Sequence, residues 1–367
     1  MLLEMIGSYS HSQVVISAPS WEVTFEGYAN LTMGTAVRSD TAHGAAPDPV
    51  AFDGAGRVLA RLVNQVGPNI GVRLVTEATN SDVDLSEASI LLFGSGGRLE
   101  IGKRMGLPDV LTGYAPNSFT FTTAEFGPPT GRTLDPGGGL QTQFLRANLR
   151  SRVEPLAARG VTASLFNDES AKILYVAPKH NGWLGGASFS PNADDPRFGK
   201  LVQFGLVHES YWRQNIWRWG GTYAHAQADR IAIGASARDL DSLSLGTSIT
   251  LNDSLDLGVS ATYDGRGGAV EAIGDAPSAW GASASINYNS GPWTVGGYYQ
   301  FSRGAVPGGS REGAHLSAFE LGTSYRFTTR VRLYGAAFLY ELTNDSRGRD
   351  PIRGRGATVT LGLRATL

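Results

Sequence analysis

Apolar residues alternate one by one with small or polar residues in segment after segment of this chain. Between Trp280 and Tyr288 every second residue is apolar, and the residues between them are Gly, Ser or Asn. A period of two places successive side chains on opposite faces of a β-strand, so the pattern predicts strands with one apolar face. After a turn at residues 289–292 the alternation resumes at Trp293, which indicates an antiparallel hairpin.

Sixteen segments with this pattern can be placed along the chain. Short turns between them alternate with longer loops rich in glycine and charge, such as residues 265–277, 304–314 and 343–354. An even number of antiparallel strands with all long loops at one end is typical of a transmembrane β-barrel. The predicted strands are 21–34, 56–66, 70–79, 87–94, 98–104, 171–178, 183–190, 200–211, 216–226, 241–251, 255–263, 279–288, 293–302, 315–327, 330–342 and 356–367.

The residues on the polar faces favour a membrane location. They are Gly, Ser, Thr, Asn, Tyr and Arg, whereas a soluble β-sandwich would carry abundant Lys and Glu there. The apolar faces bear Trp, Tyr and Phe near strand ends, as the interfacial girdles of membrane barrels do. Only 17% of the residues are charged, which fits strands with one face in lipid. The predicted fold class is all-β, a 16-stranded antiparallel transmembrane β-barrel, with a soluble all-β domain as the alternative.

Composition excludes several other classes of protein. The chain has no cysteine, which excludes disulfide scaffolds and cysteine-ligated metals. Its net charge of −2 argues against a nucleic-acid partner. The sequence contains no stretch of about 20 apolar residues, which is the length that a membrane-spanning helix requires. The six histidines lack the spacing of metal ligands, and no catalytic signature is present.

Several segments resemble those of bacterial outer-membrane general porins, in particular the 16-stranded trimeric type of alphaproteobacteria. They are residues 97–103 (GRLEIGK), 173–178 (ILYVAP), 182–187 (GWLGGA) and the closing strand 358–367. The similarity covers residues 21–367. The sequence departs from the family pattern in two places. It ends in Leu367, where the family usually ends in an aromatic residue, and its first residues do not form a recognisable export signal.

The resemblance implies a water-filled channel for passive diffusion of small hydrophilic solutes and ions. It also implies a homotrimer in the outer membrane, surrounded by outer-membrane lipid, with strand 87–94 among the natural subunit contacts. No cofactor and no enzymatic activity are expected. Two alternatives stay open: a porin selective for phosphate or sugars, and a barrel that serves structure or adhesion without conducting.

The chain divides into an N-terminal extension or signal remnant (1–20) and the barrel (21–367). Within the barrel, the third loop and its extension (105–170) are too long for an ordinary connection. Five prolines and an aromatic run lie in its first half. In the porin family the loop at this place folds into the lumen, which predicts that residues 105–136 narrow the channel.

The alternation predicts which charges line that narrow part. Arginines on three predicted strands lie out of phase with the apolar, lipid-facing residues, and carboxylates lie on the third loop. Opposed charges across a narrow channel create a transverse field that orients dipolar solutes. The less specific interpretation is that these arginines are only solvated residues of the lumen. The candidates are Arg57, Arg61, Arg73 and Arg98 on the wall and Asp109, Glu125 and Asp135 on the loop.

A second, weaker candidate site lies in the second external loop. Asp82, Asp84 and Glu87 could supply oxygen ligands to a structural Ca²⁺. A solvated acidic loop is the favoured interpretation. The glycine-rich stretch 94–97 lacks the lysine and the helix of a phosphate-binding loop, so it is interpreted as a periplasmic turn.

Overall fold

The computed structural model describes residues 13–40, 51–64, 69–79, 83–111, 170–193, 198–228, 230–231, 235–236, 239–265, 279–304, 309–346 and 352–367. The described residues form nineteen strands and one short helix, α1 (Leu107–Val110). In chain order the strands are β1 (Gln13–Ser17), β2 (Trp21–Asp40), β3 (Ala51–Asn64), β4 (Asn69–Thr79), β5 (Val83–Gly94), β6 (Gly97–Lys103), β7 (Ala171–Val176), β8 (Trp183–Asn192), β9 (Phe198–Trp212), β10 (Asn215–Ala228), β11 (Arg230–Ile231), β12 (Ala235–Ser236), β13 (Leu240–Leu251), β14 (Leu255–Gly265), β15 (Ala279–Ser290), β16 (Trp293–Gly304), β17 (Gly309–Arg326), β18 (Val331–Ser346) and β19 (Ile352–Thr366).

Sixteen of these strands form a closed antiparallel ring. Each strand from β2 to β10 pairs with the next, β10 pairs with β13, and the sequential pairing continues to β19. Strand β19 then pairs with β2, from Gly354 opposite Asp40 to Thr366 opposite Tyr28. Strands β11 and β12 form a separate two-residue hairpin. The sixteen predicted strands are therefore confirmed, and the sheet closes on itself, which leaves no edge in the hydrocarbon region.

Strand β1 was not predicted. It lies within the segment assigned to an N-terminal extension, yet it pairs with the start of β2, from Gln13 opposite Glu26 to Ser17 opposite Glu22. The backbone N–H of Leu367 donates to the carbonyl of Gly27, the next residue along β2 (3.0 Å). Strand β1 therefore occupies the same side of β2 as the end of β19 and continues that strand's line.

The turns alternate in length from one end of the barrel to the other, as predicted. At one end the connections are short, such as residues 95–96, 213–214 and 291–292, and Gly291 adopts a left-handed backbone with φ of 58°. Connections at the opposite end include residues 41–50, 104–170 and 266–278. In membrane barrels the short turns lie in the periplasm and the long loops outside the cell.

The distribution of exposed and buried side chains is the reverse of that in a soluble protein. On β13, Leu243 and Leu245 point outward and are 45% and 55% exposed, whereas Ser242 and Ser244 point inward and are almost fully buried. Leaving such an apolar surface in water would cost roughly 25 cal/mol per Å². The exposed face therefore belongs in lipid, and the soluble alternative is wrong.

Aromatic side chains form two outward-facing bands. On β15, Trp280 and Tyr288 lie eight residues apart, which is about 26 Å along a strand. At the short-turn end Trp183 stacks edge-on against Trp219, with ring centroids 5.0 Å apart, and Trp293 lies 4.8 Å from Tyr325. These bands match the girdles that anchor a barrel at both membrane interfaces. None of the described helices is long and apolar enough to cross a bilayer.

Candidate channel constriction

Charged side chains gather on the inner face of strands β3–β6. Outward-pointing Val58, Val72 and Leu74 are exposed, so the alternating positions between them face the lumen. The predicted wall residues all lie on this inner face: Arg57 and Arg61 on β3, Arg73 on β4 and Arg98 on β6. The alternation predicted that the four arginines face the lumen, and in the structure they lie together on that face.

The centre of this cluster is Glu87 on β5, whose side chain is fully buried. Its carboxylate accepts hydrogen bonds from Arg57 Nη2 (2.8 Å), Arg73 Nε (3.0 Å) and Arg104 Nη1. Charge-assisted hydrogen bonds of this kind are roughly twice as strong as neutral ones. One carboxylate therefore holds three guanidinium groups against the wall.

A second carboxylate, Glu100 on β6, extends the cluster. Arg104 Nε donates to Glu100 Oε2 (2.9 Å), and Arg98 Nε lies 2.9 Å from Glu100 Oε1. At the outer edge of the cluster, Glu77 Oε1 lies 3.6 Å from Arg57 Nε. We call this set the basic wall: Arg57, Arg61, Arg73, Arg98 and Arg104 with Glu77, Glu87 and Glu100.

Arginines outnumber glutamates in the basic wall by five to three, and Arg61 carries part of the excess. Arg61 lies directly opposite Arg73 across β3 and β4, a like-charged pair that is unfavourable by itself. Among the described residues, no carboxylate pairs with Arg61, and its buried Nε has no hydrogen-bond partner. The wall therefore presents a guanidinium donor that its own carboxylates do not satisfy.

The long third connection begins inside the barrel. Leu107 and Leu111 are fully buried against Leu174, Val176 and Val207 on the inner faces of β7 and β9. The N–H of Leu107 donates to the side-chain oxygen of Gln203 on β9 (2.9 Å). Helix α1 is thereby fixed to the inner wall of the barrel.

Two glycines make room for this packing. A Cβ at position 186 would lie 2.8 Å from Leu107 Cδ1, and a Cβ at position 205 would lie 2.5 Å from Leu111 Cδ1. Both distances are shorter than side-chain atoms tolerate, so Gly186 on β8 and Gly205 on β9 allow the helix to approach the strands.

The base of the connection is closed by polar contacts. Lys172 Nζ donates to the carbonyl of Arg104 (2.7 Å), and the N–H of Arg104 faces the carbonyl of Ser170 at 3.5 Å. Arg104 and Ser170 flank the long connection. The residue that begins the connection is therefore tied both to the basic wall and to β7.

The side chains of the predicted loop carboxylates lie outside the part of the chain that the structure describes. Asp109 lies on α1, but its side chain lies outside the described residues, as do Glu125 and Asp135 entirely. Residues 112–169 are likewise outside the described part of the chain, so their entry into the lumen stays a prediction. The acidic side of the proposed transverse field is therefore an expectation from sequence alone.

The calcium interpretation placed Glu87 in the second external loop, and that placement is wrong. Strand β5 begins at Val83, and a bulge opposite Val75 and Thr76 turns both Ser86 and Glu87 inward. Asp84 is 71% exposed and lies 3.9 Å from Lys103 Nζ, while Asp82 lies outside the described residues. In the described ranges no three acidic or histidine side chains are grouped to hold a metal ion.

Arg104, Glu100 and Lys172 are site residues that sequence reasoning missed. Glu100 shares its strand face with Arg98, so alternation alone could have found it. Arg104 follows the end of β6 and Lys172 lies on β7, with the long connection between them, so only the pairing of β6 with β7 brings them together.

Sequence comparison identifies the family. The model of the Gram-negative porin family matches residues 7–345. The chain belongs to that family. As a porin it forms a channel for passive diffusion through the bacterial outer membrane, which the sixteen-stranded barrel supports. Among curated proteins, none matches the chain.

Solved structures of other porins and outer-membrane proteins show the same fold at low sequence identity. OmpT, an outer-membrane protein of Vibrio cholerae, is 13% identical, with a TM-score of 0.60 over 96% of this chain and 100% of that one. An anion-selective porin from Comamonas acidovorans is 14% identical, with a TM-score of 0.59 over 95% and 100%. A mutant porin of Rh. blastica is 12% identical, with a TM-score of 0.55 over 94% and 100%.

Proposed function

We propose that this porin passes small hydrophilic solutes and ions through a constriction lined by the basic wall, and that it favours anions. The observation that carries the proposal is the excess of arginine over glutamate in that wall, where Arg61 has no carboxylate partner within the described part of the chain. Arginine stays charged in any environment that a channel provides. A narrow lumen with low-dielectric walls concentrates the field of these charges on the permeating ion.

The third connection sets the other side of the constriction in this proposal. Its first residues pack through Leu107 and Leu111 against the inner faces of β7–β9. Asp109, Glu125 and Asp135 would then face the arginines and complete a transverse field. Such a field aligns dipolar solutes and hinders apolar ones, because apolar solutes gain nothing from displacing oriented water.

The experiment that tests the charge preference is a zero-current potential in a planar bilayer with a KCl gradient. Replacing Arg57, Arg61 and Arg73 by glutamine should shift that potential toward cation preference, since the wall then loses three charges. Arg213→Gln is the matched control, because it removes one exposed arginine from the β9–β10 turn, away from the wall. An unchanged potential in the triple variant would remove the wall from the selectivity mechanism.

A porin selective for an anionic solute such as phosphate is the second candidate. The cluster of five arginines, larger than alternation predicted, favours it over a sugar-selective channel. Conductance distinguishes the two candidates, since a binding channel saturates as the concentration of its solute rises, whereas a general channel stays proportional to it.

We also propose a homotrimer whose contact face includes β3–β6, β18 and β19. Within the described side chains, the outward faces of these strands carry no aromatic residue and present aliphatic groups such as Val72, Ile90 and Leu361. The outward aromatic bands lie mainly on β8–β10 and β13–β17. Aromatic girdles mark the part of a barrel surface that contacts lipid. A face without them is therefore expected to contact another subunit. A trimer form is recorded for Vibrio cholerae OmpT, 14% identical to this chain.

Cross-linking tests the trimer, because the chain has no cysteine of its own. A bifunctional thiol reagent should join subunits that carry Ile90→Cys on β5. Leu245→Cys on β13 is the control, because its outward position lies among the aromatic strands and should contact lipid. Equal cross-linking of both variants, or of neither, would contradict the proposed face.

A further inference from the structure

A row of three arginines crosses the inner face of β17, β18 and β19. Arg326 lies directly opposite Arg332, and Arg332 lies directly opposite Arg364. Leu333 and Leu363, their neighbours along β18 and β19, are exposed on the outer face, so the arginines point inward. We call Arg326, Arg332 and Arg364 the arginine row. It lies at the periplasmic end of the barrel, next to the turn at residues 327–330.

Like charges placed directly opposite on neighbouring strands repel, so such an arrangement is unfavourable for folding alone. The same arrangement occurs in the basic wall, where Arg61 faces Arg73. The inner surface therefore places arginines directly opposite each other in both the arginine row and the basic wall. A bound anion would lower this repulsion further, because it can accept charge-assisted hydrogen bonds from more than one guanidinium.

The arginine row is connected to the basic wall through Tyr28 on β2. The guanidinium of Arg364 lies over the Tyr28 ring, 4.5 Å from its centroid. Tyr28 is directly opposite Arg57 of the basic wall on one side and Thr366 on the other. The row and the wall are thus parts of one band that crosses β17, β18, β19, β2, β3 and β4.

This band slopes along the channel axis. Paired residues lie on lines perpendicular to the strands, and barrel strands are tilted by about 35–45°, so a line of partners changes height as it crosses the sheet. Arg57 lies in the middle of β3, whereas its line of partners reaches β19 at Thr366, the last residue of that strand. The band therefore descends from the level of the basic wall to the periplasmic mouth.

The chemistry of the row suits a small oxyanion. Each guanidinium has five N–H donors in a planar fork, so it can bind an oxyanion while keeping contacts within the protein. Arg326, for example, donates from Nη2 toward the carbonyl of Gly291 at 3.4 Å and has further donors. On the inner face of β2, Glu22 and Glu26 lie beyond Tyr28 and give the band an acidic lower boundary.

We propose that the arginine row is a second anion-binding site, at the periplasmic mouth, that takes small oxyanionic solutes such as phosphate as they pass between the basic wall and the periplasm. The proposal rests on the anion preference proposed above, but it makes a separate prediction. Anions at the periplasmic side should meet a binding site before they reach the constriction.

The test is block of KCl current by inorganic phosphate added to one side of a planar bilayer. The variant Arg213→Cys identifies which side of the bilayer is periplasmic. It places a single cysteine in a periplasmic turn, since the chain has no other cysteine. A bulky thiol reagent should then alter the current only when it is added to the periplasmic side. Removing two row arginines with Arg326→Gln and Arg332→Gln should raise the half-blocking concentration of periplasmic phosphate about tenfold, the size expected for losing charge-assisted hydrogen bonds. Block from the external side should be unchanged.

Arg330→Gln is the matched control, because it removes an exposed arginine from the adjoining turn and leaves the row intact. Migration as a folded barrel in a gel shows that each variant has folded, and Arg326→Gln alone is the milder variant if the double change prevents folding. No change in periplasmic block in the folded row variants overturns the proposal, as does an equal change in Arg330→Gln. The zero-current potential of the Arg57, Arg61 and Arg73 variant, measured separately, decides the proposed function by itself.

Discussion

Arg104 donates from Nη1 to the buried carboxylate of Glu87, joining the start of the long third connection to the middle of strand β5. The same guanidinium bonds Glu100 through Nε. Since Glu87 also accepts from Arg57 and Arg73, one carboxylate controls both the shape of the basic wall and the anchorage of the connection. Four changes test this arrangement.

Glu87→Gln should destabilise the barrel and increase its anion preference. The change keeps the shape of the side chain but leaves three guanidinium groups without their shared counter-charge. Breaking a buried ion pair from one side costs about 3–5 kcal/mol. Urea-induced unfolding from lipid vesicles measures the first effect, and the zero-current potential in a KCl gradient measures the second. Glu77→Gln is the control: its carboxylate is 39% exposed and lies 3.6 Å from Arg57, so it should cost less than about 1 kcal/mol.

Lys172→Met should loosen the base of the third connection. The substitution removes the donor to the carbonyl of Arg104 while keeping an unbranched side chain of similar length. An unsatisfied buried carbonyl costs about 1–3 kcal/mol. We expect greater open-channel current noise in single-channel recordings. Lys200→Met, at an exposed position on β9, should leave the noise at the level of the unmodified protein; equal noise in both variants would show that the contact does not hold the connection.

Gly205→Ala should push α1 away from the wall and lower the single-channel conductance. The new Cβ would lie 2.5 Å from Leu111 Cδ1 and 2.9 Å from Thr222 Cγ2, so we expect the Leu111 side chain and the helix that it anchors to be displaced toward the channel axis. Adding Leu111→Ala removes the closer of these two contacts and should restore most of the conductance. The control is Gly96→Ala, since a Cβ there has no neighbour within 4 Å. Failure of the second change to rescue the first would mean that the helix does not set the width of the channel.

Glu100→Gln should affect the wall less than Glu87→Gln does. Glu100 contacts two arginines, Arg98 and Arg104, where Glu87 contacts three, so fewer guanidinium charges lose their counter-charge. When both changes are combined in one protein, the loss of unfolding free energy should differ from the sum of the two single losses, because both carboxylates contact Arg104. Additive losses in urea unfolding would show that Arg104 does not couple them.

Particular elements show how far sequence reasoning reaches in this protein. Alternation placed all sixteen barrel strands, because each residue of a strand in a membrane barrel faces either lipid or lumen and its chemistry records which. The direction of Arg57, Arg61, Arg73 and Arg98 followed from the same phase. The placement of Glu87 failed because the predicted strand began only at residue 87, whereas β5 begins at Val83 and continues through a bulge at Ser86. A bulge leaves little trace in the pattern of apolar residues.

The sequence by itself determined that this chain is a β-barrel with one face in lipid and arginines on the other, since that information is local and repeats every two residues. Only the tertiary structure decided which charges meet. Arg104 reaches Glu87 and Lys172 reaches Arg104 because β6 pairs with both β5 and β7 in a particular register. The sloping band from the basic wall to the arginine row has the same origin, because strand tilt and register are properties of the closed sheet and are not written in any single strand.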